Sequence, residues 1–402
     1  MRKLVDIPIK FKETSFFSKA IALYFLLVFC DTFTIGNTTL LKKYAIILVV
    51  LFLTQLHKIS INVDEVFLLQ LAYIFICGIS VVYSINFDAS LSMFISIAMN
   101  VGLVIICSII PFSKKEIDLF RKSMVFGGLL ILLIAVFYAE FSYGGRLTIS
   151  IIGEGADENT LNGYIIYAFS YFVYNFILGK RRALAITMSM MCLIFVFLTG
   201  SRGALVAFLM VLIVSMIIGF INGGEQRRRA LTILGGIAIF SCFYETIISF
   251  FPDKLAERYS LNYILLNGTT GRSDIWEALL TRLFNDKISV VLFGNGIGTS
   301  QYYNDINNLV AHNLFIEIIV GVGVLGLLVY LCLLYFIFKK ALKNQQYIEF
   351  IALCGLITLS MTLSLVTYKP IFNMFFLIQV SSNLAKNQKN VNPIYLDDCL
   401  EK

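Results

Sequence analysis

Charge is what this chain has least of. Only 14% of its 402 residues are Asp, Glu, Lys or Arg, where a water-soluble protein carries about 25%. Nearly half of the expected solvating charge is missing. That shortage excludes a soluble enzyme on one membrane anchor, a nucleic-acid-binding domain and a disordered scaffold. Histidine occurs twice and tryptophan once, so imidazole chemistry rests on very few positions. Of the five prolines, Pro111, Pro252 and Pro370 fall at the edges of apolar stretches, where a helix starts or stops. The eight cysteines include no CxxC pair and no Cys/His cluster, which argues against a zinc site or a disulfide framework. Cys30, Cys77, Cys107, Cys192, Cys242, Cys332 and Cys354 sit in apolar runs and read as small hydrophobes, with Cys399 in the tail.

What is abundant is continuous apolar sequence: 58% of residues are hydrophobic and the mean hydropathy is +0.84. Apolar stretches lie at 20–36, 41–57, 65–85, 89–110, 123–142, 161–178, 183–199, 203–221, 230–250, 312–338, 347–366 and 370–385. Most are long enough to cross about 30 Å of hydrocarbon as helices. Membrane barrel strands would be about ten residues long with alternating polarity, and these runs do not alternate. The expectation is an all-α, polytopic integral membrane protein with about 12 transmembrane helices, a single membrane domain over 1–402. The basic start, MRKLVDIPIKFKETSFFSKA, lacks a small-residue cleavage pattern and reads as the lead-in to an uncleaved first span.

Most of the 32 basic residues fall on one side if the N-terminus is inside and the spans alternate, which places both termini in the cytoplasm. The net charge of +7 then faces anionic lipid and needs no nucleic acid. Two external connections are unusually long, 143–160 and 251–311, the second between the ninth and tenth spans. Long connections in packed helical proteins carry function. Within the larger one, GRSDIWEALLTRLFND places Ile275, Leu279, Leu280 and Leu283 on one helical side, as in a small amphipathic cap.

Few polar residues remain on the outer side. Arg146 opens the first long connection, Arg202 lies in the short turn TGSRGA, and Arg272 begins the cap helix. Arginine near a membrane edge ordinarily snorkels to headgroups. Arg202 differs in being flanked by Gly200, Ser201 and Gly203, which admit other groups close to a guanidinium, the preferred bidentate partner of phosphate oxygens. His57 lies beside Lys58 at an inner edge and reads as solvated. His312, in AHNLFIEIIVGVG, lies at the outer start of the tenth span, where the positive end of a helix dipole favours a neutral ring. His312 or Asn313 is equally a helix cap, and Glu317 a group that orients a neighbour or packs. Gly294, Gly296 and Gly298 lack dinucleotide spacing and indicate close backbone approach. Gly321, Gly323 and Gly326 suggest close helix contact. Trp276 is an interfacial anchor or a sugar-stacking platform.

In order, these features resemble the O-antigen polymerase and O-antigen ligase family of bacterial polysaccharide assembly. The pattern consists of Arg146 followed by Asp157, Glu158 and Asn159, then TGSRGA, GRSDIW, GNGIG and AHNLFIEIIVGVGVLG. It is strongest over residues 140 to 335, and Asp-Glu-Asn stands where Asp-Pro-Asn is common. The resemblance implies glycan transfer from an undecaprenyl-diphosphate donor to an acceptor sugar hydroxyl, on the outer face of the bacterial cytoplasmic (inner) membrane. Arg202, Arg272 and His312 are then the catalytic candidates: the guanidiniums stabilise the departing diphosphate and His312 is the base. Arg146, Asn159, Trp276, Asn313 and Glu317 are the substrate-binding candidates. One base and one displaced diphosphate suggest inversion. No external DxD-like acidic pair occurs, so neither metal nor cofactor is expected.

The implied partners are lipid-linked glycan donor and acceptor, membrane lipids, a chain-length regulator and a flippase. The favoured activity is polymerisation of repeat units into O-antigen or capsular polysaccharide, with ligation to lipid A core as the alternative. A transporter or flippase would place ionisable residues at mid-membrane and show related halves. A non-catalytic assembly factor would leave the outward arginines and His312 without a role.

Overall fold

A computed structural model describes residues 14–32, 34–35, 38–60, 63–142, 145–149, 158–260, 262–263, 271–303 and 309–391. Asp157, the N-terminal basic run, Lys389, Lys402 and Cys399 lie outside them or have undescribed side chains. The fold is all-α and 81% helical. The first helices are α1 (Phe16–Leu26), α2 (Leu40–Leu53), α3 (Glu65–Val82), α4 (Phe87–Ser108) and α5 (Lys114–Tyr138). There follow α6 (Glu158–Leu178), α7 (Arg182–Leu198), α8 (Arg202–Asn222) and α9 (Gly224–Cys242). Short helices come next, among them α10 (Tyr244–Ile248), α11 (Asp253–Tyr259), α12 (Arg272–Asn285), α13 (Ile288–Phe293) and α14 (Ser300–Tyr303). The chain closes with α15 (Leu314–Lys343), α16 (Tyr347–Ser360) and α17 (Lys369–Val391). Two antiparallel hairpins interrupt them, β1 (Thr34–Ile35) with β2 (Thr38–Thr39), and β3 (Ala139–Phe141) with β4 (Leu147–Ile149).

Among the described residues six helices, α3, α4, α5, α6, α8 and α15, are long and apolar enough to cross a membrane, and α1, α7 and α16 are shorter apolar helices. Their outward faces carry large apolar side chains, among them Ile46, Ile47 and Val50 of α2 and Phe126, Leu133 and Val136 of α5. Such faces match a hydrocarbon solvent and would be a large apolar patch in water. Helix α6 is the exception. It is buried on nearly all sides, as a helix at the centre of a bundle must be. Small residues permit its neighbours to approach: a Cβ on Gly128 of α5 would lie 2.9 Å from Ala168 Cβ. Without a hydrophobic force between helices in lipid, such close van der Waals contact is what holds them together.

Bonds between helix ends sort the bundle into two ends. At the near end, where α1 begins, Ser18 Oγ donates to Glu116 Oε1 of α5 at 2.6 Å. Arg121 Nε of α5 donates to Glu349 Oε1 of α16 at 2.6 Å, and Lys340 Nζ of α15 pairs with Asp64 Oδ2 before α3 at 2.5 Å. Asn383 of α17 donates to Ser108 O at the end of α4. At the far end, Lys369 of α17 pairs with Asp31 after α1, and Tyr368 Oη donates to Thr160 O of α6. The principal helices therefore run alternately up and down.

Several boundaries differ from expectation. The first apolar stretch was expected over 20–36, but α1 ends at Leu26 and a 3-10 turn follows (Val28–Thr32). There the Asp31 carboxylate turns to Lys369 and Thr39. The fifth begins earlier than 123 because Ser113 and Glu116 form a capping box that starts α5 through its charged turn. The tenth is interrupted: Gly323 has φ +69° inside α15, so it breaks the helix in addition to allowing close contact. The glycine loop after α13 fills the break. Asn295 N–H donates to Val320 O at 3.0 Å and Gly296 N–H to Gly321 O at 2.9 Å, taking up carbonyls at the helix interruption. A Cβ on Gly294 or Gly323 would collide with backbone, which accounts for both glycines.

Candidate functional site

The far end gathers the turn between α7 and α8, the β3–β4 hairpin, α11, and the start of α15. Ser201 caps α8, its Oγ accepting from Ala204 N–H at 3.3 Å, so Arg202 is the first helical residue. Gly200 has φ +64°, and a Cβ there would lie 3.0 Å from Arg146 Cγ and 3.1 Å from Leu255 Cδ1. The turn is thus clasped from both sides by other segments. Its backbone carbonyls are held by two guanidiniums. Arg146 Nε donates to Thr199 O at 3.0 Å and Arg258 Nε donates to Gly200 O at 2.8 Å.

Arg146 is fully engaged: Nη2 donates to Asn159 Oδ1 at 3.0 Å and Nη1 lies 3.4 Å from Glu158 Oε2. It ties the hairpin to the start of α6, with Asn159 as its partner. Arg202 is different. Its guanidinium stands 5.8 Å from the Tyr263 ring centroid, and its Nη1 is buried with no hydrogen-bond partner among the described residues. A buried orphan donor on a charged group is costly. Arg258 shows the same local excess of positive charge, its basicity lowered first by burial and then by the neighbouring Arg146 and Arg202. Three guanidiniums therefore converge where Glu158 is the carboxylate paired with one of them.

Arg258 was not a candidate from the sequence. It lies in the last turn of α11, DKLAERY, between Glu257 and Tyr259, with no small residue beside it to single it out, and reaches the turn only through the tertiary fold. The usable signal was a basic residue in the last turn of a short helix inside a long connection.

The second half of the site is the start of α15. His312 has φ +49°, a left-handed conformation in which histidine is enriched but still uncommon. Both of its neighbours are pinned. Ala311 N–H donates to Glu317 Oε1 at 2.9 Å and Ala311 O accepts from Trp276 Nε1 at 2.7 Å. Asn313 Oδ1 caps the helix by accepting from Phe315 and Ile316 N–H, and its Nδ2 donates to Met361 O at 3.2 Å. Asn313, not His312, is therefore the cap. Trp276, Asn313 and Glu317, expected to bind substrate, spend these polar atoms on the backbone that holds His312. Trp276 Nε1 is an anchor.

Helix α12 presents Ile275, Leu279 and Leu283 inward, with Leu280 partly buried beside them, against Tyr303, Ala311, Ile316, Ile319 and Val320. That is the apolar side read from the sequence. Arg272 starts this helix behind Gly271, at φ +78°. It lies four residues before Trp276, so the two share a helical face about one turn apart.

One short segment joins the two halves. After α16, a Cβ on Gly203 would run into Thr362, while the adjacent Met361 O accepts from Asn313 and Ser364 Oγ donates to Glu317 Oε1 at 2.8 Å. Residues next to Arg202 and next to His312 thus rest on consecutive positions, whose Cα atoms are about 3.8 Å apart. His57 lies exposed at the near end, apart from this site.

No protein-family model matches the chain, and no curated protein is similar enough in sequence to count as a relative.

Proposed function

We propose that this chain is a membrane glycosyltransferase that polymerises undecaprenyl-diphosphate-linked repeat units into O-antigen or capsular polysaccharide. The observation that carries the reading is Arg202, with a buried donor lacking a partner among the described residues, beside two further guanidiniums, on a turn joined by one segment to His312. Twelve crossings of about 20 residues each accommodate the alternating helices. The basic clusters at Lys114–Lys115, Arg181–Arg182 and Arg227–Arg229 lie at the near end and make that end cytoplasmic. The far end then faces outward, at the bacterial inner membrane, with both termini inside.

The reaction follows from the chemistry of the groups. An acceptor hydroxyl attacks the anomeric carbon of the donor sugar, and the carbon–oxygen bond to diphosphate breaks as the new glycosidic bond forms. His312 takes the hydroxyl proton. The departing lipid diphosphate gains negative charge, which Arg202 and Arg258 oppose through preorganised guanidiniums, with Arg272 adding charge from the cap helix. Arg146 and Asn159 position the turn, while Trp276, Asn313 and Glu317 position His312. A direct displacement inverts the sugar carbon. The groups named need neither metal nor cofactor, and activity should persist in chelator.

Ligation to lipid A core uses the same donor chemistry and differs in acceptor. Purified protein supplied only with undecaprenyl-diphosphate-linked repeat units should lengthen chains. Transfer that requires added lipid A core would instead identify a ligase. The interrupted α15 is the feature that favours a transporter or flippase. Against it, carbonyls of Val320 and Gly321 at the break already accept the N–H groups of Asn295 and Gly296, so the loop and not an ion is their partner.

A further inference from the structure

A polar cavity lies at the far end, between α1, α2, α4 and the start of α17. Its volume is about 130 Å³, comparable to a cavity of roughly 150 Å³ that holds benzene, and large enough for a phosphate group. Lys369 and Asn100 are buried at its floor, while Lys42 and Thr39 are half-buried. Asp31 pairs with Lys369 at 2.5 Å and accepts from Thr39 Oγ1 at 2.9 Å. Two ammonium groups thus line a cavity with one carboxylate, which pairs with Lys369. Lys42 has no ion-pair partner among the described residues.

The same helices continue into a narrow apolar crevice below. On α2 the lining passes from Lys42 to Leu48, on α4 from Asn100 to Cys107, and on α17 from Lys369 to Phe376. Each passage descends about 10 Å along its helix. Polarity therefore falls in one direction on three helices at once. Partway down, Asn373 is 4% exposed, lines the crevice, and leaves its Nδ2 without a hydrogen-bond partner among the described residues.

We infer that this cavity is a binding site for an anionic lipid, whose phosphate headgroup sits on Lys42 and Lys369 and whose chain follows the apolar crevice toward the bilayer. The net positive charge selects an anion, and ammonium groups bind phosphate as point charges. The apolar descent selects an amphiphile over a free ion. A chain that enters the crevice requires side chains to part, because the crevice itself holds only about 20 Å³. This site does not depend on the transfer reaction proposed above.

Native mass spectrometry of the full-length protein in detergent tests the assignment with dioleoyl phosphatidic acid, dioleoylglycerol and glycerol 3-phosphate as probes. Lys42→Ala removes a side chain with no ion pair and should weaken one bound phosphatidic acid about tenfold, the loss expected for a charge-assisted contact. Asp31→Asn with Lys369→Met removes the buried pair together, leaving no lone charge, and should weaken the same lipid. Arg202→Gln should leave that lipid bound and thereby separate it from the arginine turn. Equal binding by the wild type, Lys42→Ala and the double variant overturns the site. Dioleoylglycerol binding as tightly as phosphatidic acid overturns the phosphate assignment. Glycerol 3-phosphate binding as tightly as the lipid overturns the lipid assignment.

Discussion

The two ends of the bundle treat positive charge differently. At the near end Arg121 pairs with Glu349 and Asp118 and Lys340 with Asp64, and Arg229 pairs with Glu225 and donates to Ile177 O, although its Nε stays buried without a partner among the described residues. At the far end, among the described residues, three guanidiniums meet with one paired carboxylate, Glu158 on Arg146, and Arg202 keeps a buried donor without a partner. Matched charge is what a scaffold needs, since it satisfies buried groups and fixes how helices meet. Unmatched charge carries a stability cost that a bound anion would offset. On the proposed function, the contrast separates arginines that hold the fold from an arginine cluster that binds an anion.

The comparison can be broken from either end. The largest effect is expected at the proposed base: His312→Ala should lower chain elongation by about 10²- to 10⁴-fold and remove the acidic limb of the pH–rate profile, with insertion unchanged. Turnover assays across pH check this. Glu349→Ala leaves Arg121 without its buried partner and should destabilise the protein by about 3 to 5 kcal/mol, read as loss of thermal stability in detergent. Activity per folded molecule should be retained. Arg202→Gln should do the reverse. It should lower elongation by about 10²- to 10³-fold while stability holds or rises, because one like charge leaves the cluster; parallel turnover and melting measurements decide. Asn313→Ala should have the smallest effect, about 1 kcal/mol from a lost helix cap, with a turnover defect that Asn313→Asp partly restores.

Much of the scaffold was legible because apolar periodicity and length are local properties. The stretch at 203–221 became Arg202–Asn222 and that at 65–85 became Glu65–Val82. Local polarity also marked Arg146, Arg202 and His312, since arginine among small residues and histidine at a helix start are visible in a window of a few positions. What stayed hidden depends on distant contacts. Arg258 becomes part of the site only when α11 folds onto Gly200. The break at Gly323 appears only when the loop around Asn295 supplies N–H groups to α15, because a glycine within an apolar run is also compatible with an unbroken helix. The roles of Trp276 and Glu317 were likewise invisible, since both act on the backbone of Ala311, thirty-five and six residues away.

The central claim is that the unmatched guanidiniums hold a lipid diphosphate. It is tested most directly by measuring undecaprenyl diphosphate binding to purified wild type and to the Arg202→Gln, Arg258→Gln double variant, with undecaprenol as the uncharged control. The account predicts preference of the wild type for the diphosphate over undecaprenol, and a loss of about 10- to 100-fold in the variant, as expected for charged hydrogen bonds to phosphate. Equal diphosphate binding by both proteins, or no preference over undecaprenol, would contradict it.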